Sequence, residues 1–179
     1  MCDNKVKNCS SSEIIVLYDG YSLEAENNQM SANCSCTLIK GVHNIIVDTM
    51  TAWDSEKIIT ALQKQHVKPE EIDYVISTHG HSDHIGNNNL FLKAKHIVGF
   101  SISFKDTYFI HPFDKGEEYW INNSVKIIPT PGHTLSDVTV VVHNTEHEVV
   151  AIAVLQMKNR SKVADLANWI VPGHGPLFQ

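Results

Sequence analysis

A chain of 179 residues has room for one domain around one sizeable core, and not for two full-sized ones. Hydrophobic residues at 42% and charged residues at 19% are ordinary globular values and exclude a disordered or collagen-like chain. The formal net charge of -6 excludes a global basic field drawing the chain to nucleic acid or an anionic membrane, so an RNA partner would have to be held locally.

The first twelve residues, MCDNKVKNCSSS, have no apolar stretch and read as a flexible N-terminus rather than a signal peptide; a single domain over residues 13–179 follows. EIIVLY at 13–18 is β-branched and aromatic and stops at Asp19-Gly20, which predicts a strand and a turn. Residues 21–35 are polar without a period and read as a surface loop. The runs at 36–40 and 44–47, with Gly41 between them, predict a further strand pair closed by Asp48-Thr49. Over residues 54–66, Ile58, Ile59, Ala61 and Leu62 share one helical face, with Thr51 or Asp54 available as a cap and Pro69 just beyond the end. Tyr74-Val75-Ile76-Ser77 is a short buried strand. More strands are predicted at 96–99, 124–128, 138–142 and 149–154, then a helix at 156–167 and a last strand at 169–171. Strands outnumber helices and come partly in hairpins, which favours sheets flanked by helices.

No window has the length and apolarity of a membrane-spanning helix. The four cysteines, Cys2, Cys9, Cys34 and Cys36, all fall in the first fifth of the chain, away from the histidine motifs. Without a signal peptide they imply reduced thiols and a cytoplasmic location, with the nucleus left open. Cys34-Ser35-Cys36 reads as a pair of free surface thiols rather than half of a metal or redox site.

Eleven histidines are a heavy load, and imidazole is the commonest transition-metal ligand near neutral pH. The strand at 74–77 runs directly into His79-Gly80-His81-Ser82-Asp83-His84. In extended backbone His79 and His81 project to one side, and Gly80 and Gly86 give the loop freedom to curl round an ion. Four metal-capable side chains lie within six residues, a donor set that suits zinc. Two further histidines follow strand ends on Pro-Gly turns, in Thr130-Pro131-Gly132-His133-Thr134 and in Pro172-Gly173-His174-Gly175-Pro176.

With these motifs the sequence resembles the metallo-β-lactamase superfamily from about residue 13 to the end. Asp48 in IIVDT matches its first motif, HGHSDH its second, PGH its third and PGHGP its last. The resemblance implies an α/β fold, the αββα sandwich: two mixed sheets packed face to face with helices outside, here shortened in the C-terminal half. It implies that His79, His81 and His133 bind a first zinc and that Asp83, His84 and His174 bind a second. Asp48 would be a carboxylate that orients ligands by hydrogen bonds, and the catalytic machinery would be Asp83, His84 and Asp48. The longer stretches STHGHSDHIGN, TPGHTLSDVTVVV and IVPGHGPLF are similar to a glyoxalase II-like branch associated with endonucleolytic cleavage at the 3′ end of histone pre-mRNA. Two activities therefore follow from the resemblance, an endoribonuclease or an ester and thioester hydrolase, each using a zinc-activated water. RNA or a small-molecule ester is the implied partner, with no membrane, and a homodimer is left open.

The family normally supplies a metal-bridging carboxylate from a Gly-Asp pair after the strand that follows the third motif. Here that strand reads VVAIAV and runs straight into LQMKNRSK, with no Gly-Asp, and His174 comes only twenty positions after Val154. An internal deletion is the simplest account. Asp165 is the only carboxylate in that interval, placed in the predicted helix and away from the sheet end. The first zinc is then complete without the bridge, and the second should bind more weakly. The alternative is a form that has lost turnover. His43, His66, His96, His111, His143 and His147 read as surface or core-edge residues. Asp137 reads as a strand-start residue ahead of the alternative of a carboxylate that orients a ligand, and Phe100, Phe104, Tyr108, Phe109 and Phe113 as the packing of a long loop ahead of the lining of a substrate groove.

Overall fold

The computed structural model describes residues 11–154 and 157–179. Cys2, Cys9, most of the expected flexible N-terminus and the first residue of the expected C-terminal helix lie outside the described residues. In chain order the elements are β1 (Glu13–Tyr18), β2 (Tyr21–Ala25), β3 (Gln29–Asn33), β4 (Cys36–Lys40), β5 (Ile45–Val47), α1 (Ser55–Lys64), β6 (Tyr74–Ser77) and the single-turn α2 (Ser82–Ile85). There follow β7 (Lys95–Val98), β8 (Ser101–Phe104), β9 (Thr107–Phe109), β10 (Tyr119–Trp120), β11 (Val125–Pro129), β12 (Val138–Thr145), β13 (Glu148–Ala153), α3 (Met157–Ala164) and β14 (Trp169–Pro172).

The strands form a seven-stranded sheet in the order β1-β4-β5-β6-β7-β8-β9, a five-stranded sheet in the order β10-β11-β12-β13-β14, and the separate hairpin β2-β3. Both large sheets are mixed: β5, β6 and β7 run parallel in the first, and β13 and β14 run parallel in the second. Side chains alternate across the pleat, and this sorts the apolar residues into layers. Ile39, Ile45, Val47, Ile76 and Ile97 of the first sheet meet Ile127, Val140, Val150, Ile152 and Val171 of the second in one core. On the other face of the first sheet, Leu38, Ile46 and Val75 pack against Ile58 and Leu62 of α1. Val163 of α3 covers Ala151, Ala153 and Ile170 on the outside of the second sheet. Each fully buried Val, Leu or Ile contributes roughly 1.5–3 kcal/mol, so the three layers account for the αββα sandwich.

Residues 21–35 are not a plain loop. They hold the β2-β3 hairpin, paired from Tyr21↔Asn33 to Ala25↔Gln29. All of β2 is exposed, so its side chains carry no alternation of burial, and backbone pairing holds it instead. The aromatic stretch after residue 99 is likewise ordered, as β8 and β9 on the sheet edge and β10 beyond. Cys34 and Cys36 are free thiols, as expected, but buried in the layer beneath α1 rather than on the surface. Asp54 stands at the N-cap of α1 without a side-chain cap bond; its carboxylate is taken by Asn33, Thr51 and Lys57.

Candidate metal centre

The four motifs converge because each leaves the C-terminal end of a strand at the same edge of the sandwich. Asp48 follows β5, His79 follows β6, His133 follows β11 and His174 follows β14. The two sheets are joined there by Val138 N–H, which donates to the Thr78 carbonyl at 2.9 Å. His81 is extended at the N-cap of α2, and that one turn then presents Asp83 and His84.

Two triads result, each with its ligand atoms within 4.8 Å of one another: His79, His81 and His133, and Asp83, His84 and His174. In the first, the ring centroids are 4.5 Å apart for His79 and His81 and 4.7 Å for each ring against His133. His133 Nε2 lies 2.9 Å from His81 Nδ1. In the second, Asp83 Oδ2 is 3.7 Å from both His84 Nε2 and His174 Nε2. The triads adjoin, with 4.1 Å between the rings of His79 and His84.

Hydrogen bonds set which nitrogen each ring turns to the centre. Asp48 is buried; its Oδ1 accepts the Thr78 N–H at 2.7 Å and its Oδ2 faces His84 Nδ1 at 2.9 Å. His174 Nδ1 lies 2.9 Å from the Asn33 carbonyl and 3.2 Å from the Tyr21 carbonyl. A carbonyl only accepts, so His174 donates from Nδ1 and leaves Nε2 bare for a metal. Electrostatics divides the neighbours. Burial, helped by the charge on His84, pushes His79 down to about 4. Burial also acts to lower His84, but the charge and hydrogen bond of Asp48 outweigh it and hold His84 above its ordinary range. His133 is lowered by burial and by His81. Asp48 acts on the centre through His84 and lies too deep to touch a substrate.

The donor set fits divalent cations. His79 Nε2 and His84 Nε2 are buried with no hydrogen-bond partner among the described residues, and an unsatisfied buried group costs about 1–3 kcal/mol. Both orphans sit where the triads meet. Two ligands on a tetrahedral zinc stand about 3.4 Å apart, close to the Asp83-to-histidine spacings. Cys34, Asp48 and His84 form a third close group. Burial and Asp48 raise the Cys34 thiol well above its ordinary value.

The loop glycines differ from expectation. Gly80 faces open space, whereas a Cβ on Gly86 would meet backbone atoms of Met50, Thr51 and Ala52 at 2.4 Å. Gly86 is required by that close approach, not by loop freedom. Asp165 lies in the turn after α3, exposed and in neither triad. At the end of β13, a Cβ on Gly173 would fall 2.9 Å from Val154 Cγ2 and 3.6 Å from His84 Cε1. The residue after β13 is thus Val154, whose methyl group approaches Gly173, and the sequence supplies no carboxylate between β13 and α3. Of the ligands' own holders, Thr78 lies within STHGHSDHIGN, whereas Asn33 and the Tyr21 carbonyl belong to no motif. The one sequence signal for the hairpin was Asn27-Asn28, whose φ angles of 61° and 58° make the tight turn.

This chain belongs to the metallo-beta-lactamase superfamily: residues 32–147 match that family, and the fold and the motif geometry agree with it. Its activity class is that of a metal-dependent hydrolase. It is similar to metallo-beta-lactamase domain-containing protein 1 of Xenopus laevis, 33% identical over 192 aligned positions that cover 95% of this chain and 82% of the relative. The alignment is longer than the chain, so the frog protein carries residues without a counterpart here. The chain spans 59% of the human relative of that name, at 33% identity over 75% of this chain. A metallo-beta-lactamase-type structure from Thermotoga maritima superposes with a TM-score of 0.73 at 16% identity, covering 94% of this chain and 99% of that one. A B. thuringiensis protein solved with N-decanoyl-L-homoserine at its active site superposes with a TM-score of 0.60 at 18% identity, over 92% of this chain and 82% of that one. Among the described residues no helix is long and apolar enough to cross a membrane.

Proposed function

We propose that this chain is a zinc-dependent hydrolase of small acyl substrates, esters, lactones or thioesters. His79, His81 and His133 would hold one ion, and Asp83, His84 and His174 a weaker second. A divalent ion in such a site acidifies water and polarises a carbonyl. The chain's own work is orientation: Asp48 fixes the tautomer of His84, and the carbonyls of Asn33 and Tyr21 fix that of His174.

The observation that carries the acyl reading is a pocket of about 350 Å³ walled in part by residues of the His133 loop. Pro131 and Leu135 flank His133 and line it, with Phe100, Phe113 and Pro129 as further apolar wall. Its size suits the substituent of a small molecule rather than a polymer. A larger cleft of about 560 Å³, lined by Ser12, Lys40 and Glu146 among others, shares no residue with the ligand loops. The B. thuringiensis neighbour, with its acyl-homoserine ligand, is consistent with acyl chemistry on this fold.

The test is turnover of a panel of thioesters and N-acyl homoserine lactones by the zinc-loaded protein beside His81→Ala. Hydrolysis that depends on His81 is expected. Rates no higher than those of free zinc across the panel would refute the proposal. The second reading, endonucleolytic cleavage at the 3′ end of histone pre-mRNA, draws on the extended match in STHGHSDHIGN and TPGHTLSDVTVVV. Cleavage of such an RNA by the wild type and not by His81→Ala would decide for it.

A further inference from the structure

We infer that Asp137 is the positioning residue of His133: its carboxylate fixes the loop 131–134 and thereby sets how tightly the first triad holds a metal ion. The inference rests on the metal-binding reading above and goes beyond it by naming a residue outside the two ligand triads.

Asp137 stands just before β12 and is 1% exposed. Its Oδ2 accepts two backbone N–H groups, from Gly132 at 2.9 Å and from Thr134 at 2.6 Å, and its Oδ1 accepts the Thr134 hydroxyl at 2.9 Å. Gly132 and Thr134 are the residues on either side of His133, so the carboxylate grips the backbone immediately before and after the ligand. Thr134 Oγ1 in turn accepts the Ser136 N–H at 3.2 Å, and the Asp137 carbonyl accepts the Thr130 N–H at 2.9 Å. A strand start does not require a buried carboxylate, and burying one costs several kcal/mol unless its lone pairs are met. Here the donors of the His133 loop meet them.

The loop needs such a grip. His133 is exposed whereas His79 is buried, so hydrogen bonds to its backbone neighbours carry more of the work of placing it. From the outer side, α3 adds Asn159 Nδ2, which donates to the Pro131 carbonyl, and Lys162 Nζ, 3.4 Å from the Pro129 carbonyl. Both sides of the loop are thus tied by side chains from elements other than the loop itself. A metal ligand must be held within about 0.5 Å of its productive position, and loss of an orienting partner typically weakens metal binding 10–100-fold.

The test is a competition titration of the full chain with zinc and a chromophoric chelator, in a His174→Ala background so that the first triad reports alone. Asp137→Ala should bind zinc 10–100-fold more weakly. Asp137→Asn should recover to within a few-fold, because an amide oxygen accepts both N–H groups and its NH₂ can donate to the Thr134 hydroxyl. Thr134→Val removes the two bonds of the hydroxyl, to Asp137 and from Ser136, leaves the carboxylate and its two N–H donors in place and should fall between them. Thermal unfolding of the chelator-treated proteins reports folding separately. Zinc affinity in Asp137→Ala equal to that of the background would overturn the inference. If the background protein itself binds no zinc, the metal-binding reading fails and this one falls with it. Asp137→Asn as weak as Asp137→Ala would also overturn it, since the grip would then not be one of hydrogen bonds.

Discussion

Replacing Asp48 with asparagine tests how the buried half of the centre is wired. Asp48 Oδ1 receives the Thr78 N–H at 2.7 Å, so the asparagine oxygen is obliged to take that place. Its NH₂ then falls where Oδ2 stood, facing His84 Nδ1 at 2.9 Å. His84 must accept there and move its proton to Nε2, the atom that faces Asp83 and His174. The variant loses a charge-assisted buried hydrogen bond, a loss of about 2–3 kcal/mol. The pH dependence carries the sign. Asp48 holds folded His84 above its unfolded value of 6.5, so this stabilisation is fully present below pH 6.5 and is lost as pH rises through the folded value. Urea unfolding of chelator-treated wild type and Asp48→Asn between pH 6 and 9 should therefore show the largest gap at the acid end. An NMR titration of the imidazoles should show His84 falling below its wild-type value. A gap that widens toward pH 9, or an unmoved His84, would refute the reasoning.

Other consequences are open to measurement. His79 is held down to about 4 against an ordinary 6.5, so the unfolded chain binds the extra proton between those values and stability should rise with pH across that window. The gain is at most roughly 3 kcal/mol, read as the difference between metal-free wild type and His79→Gln. Leu135 is 93% exposed, so Leu135→Ser should leave the unfolding midpoint within about 0.5 kcal/mol of wild type. It should nevertheless raise KM for esters with bulky apolar acyl groups, and an unchanged KM would remove the pocket from the substrate path. Val154→Asp places a carboxylate beside Gly173, at the strand end where the family's Gly-Asp pair is missing. Metal analysis should then find more zinc per chain than in wild type, whereas two tightly held ions in the wild type would contradict the account of a weak second site.

Much of this protein was legible along the chain. The apolar runs EIIVLY and VVAIAV and the single apolar face of α1 are local patterns that the core reads directly, since the pleat and the helical turn fix which side chains share a face. The ligands were equally legible, because a histidine after a strand and a Pro-Gly turn is specified by near neighbours in sequence. Other features depend on contacts between residues far apart. The β2-β3 hairpin is exposed along β2 and shows no hydrophobic period, yet its Asn33 carbonyl holds a histidine 141 positions away. Cys34 and Cys36 look like surface thiols until α1 closes over them. Asp137 looks like the start of a strand until the His133 loop folds its N–H groups onto the carboxylate. The sequence by itself determined the layers of the sandwich and the chemical kinds of ligand, because periodicity and side-chain type are properties of a short stretch. Only the tertiary structure decided which nitrogen of each histidine faces the centre and what holds it there, because a hydrogen bond is directional and its partner is chosen by how distant strand ends are brought together.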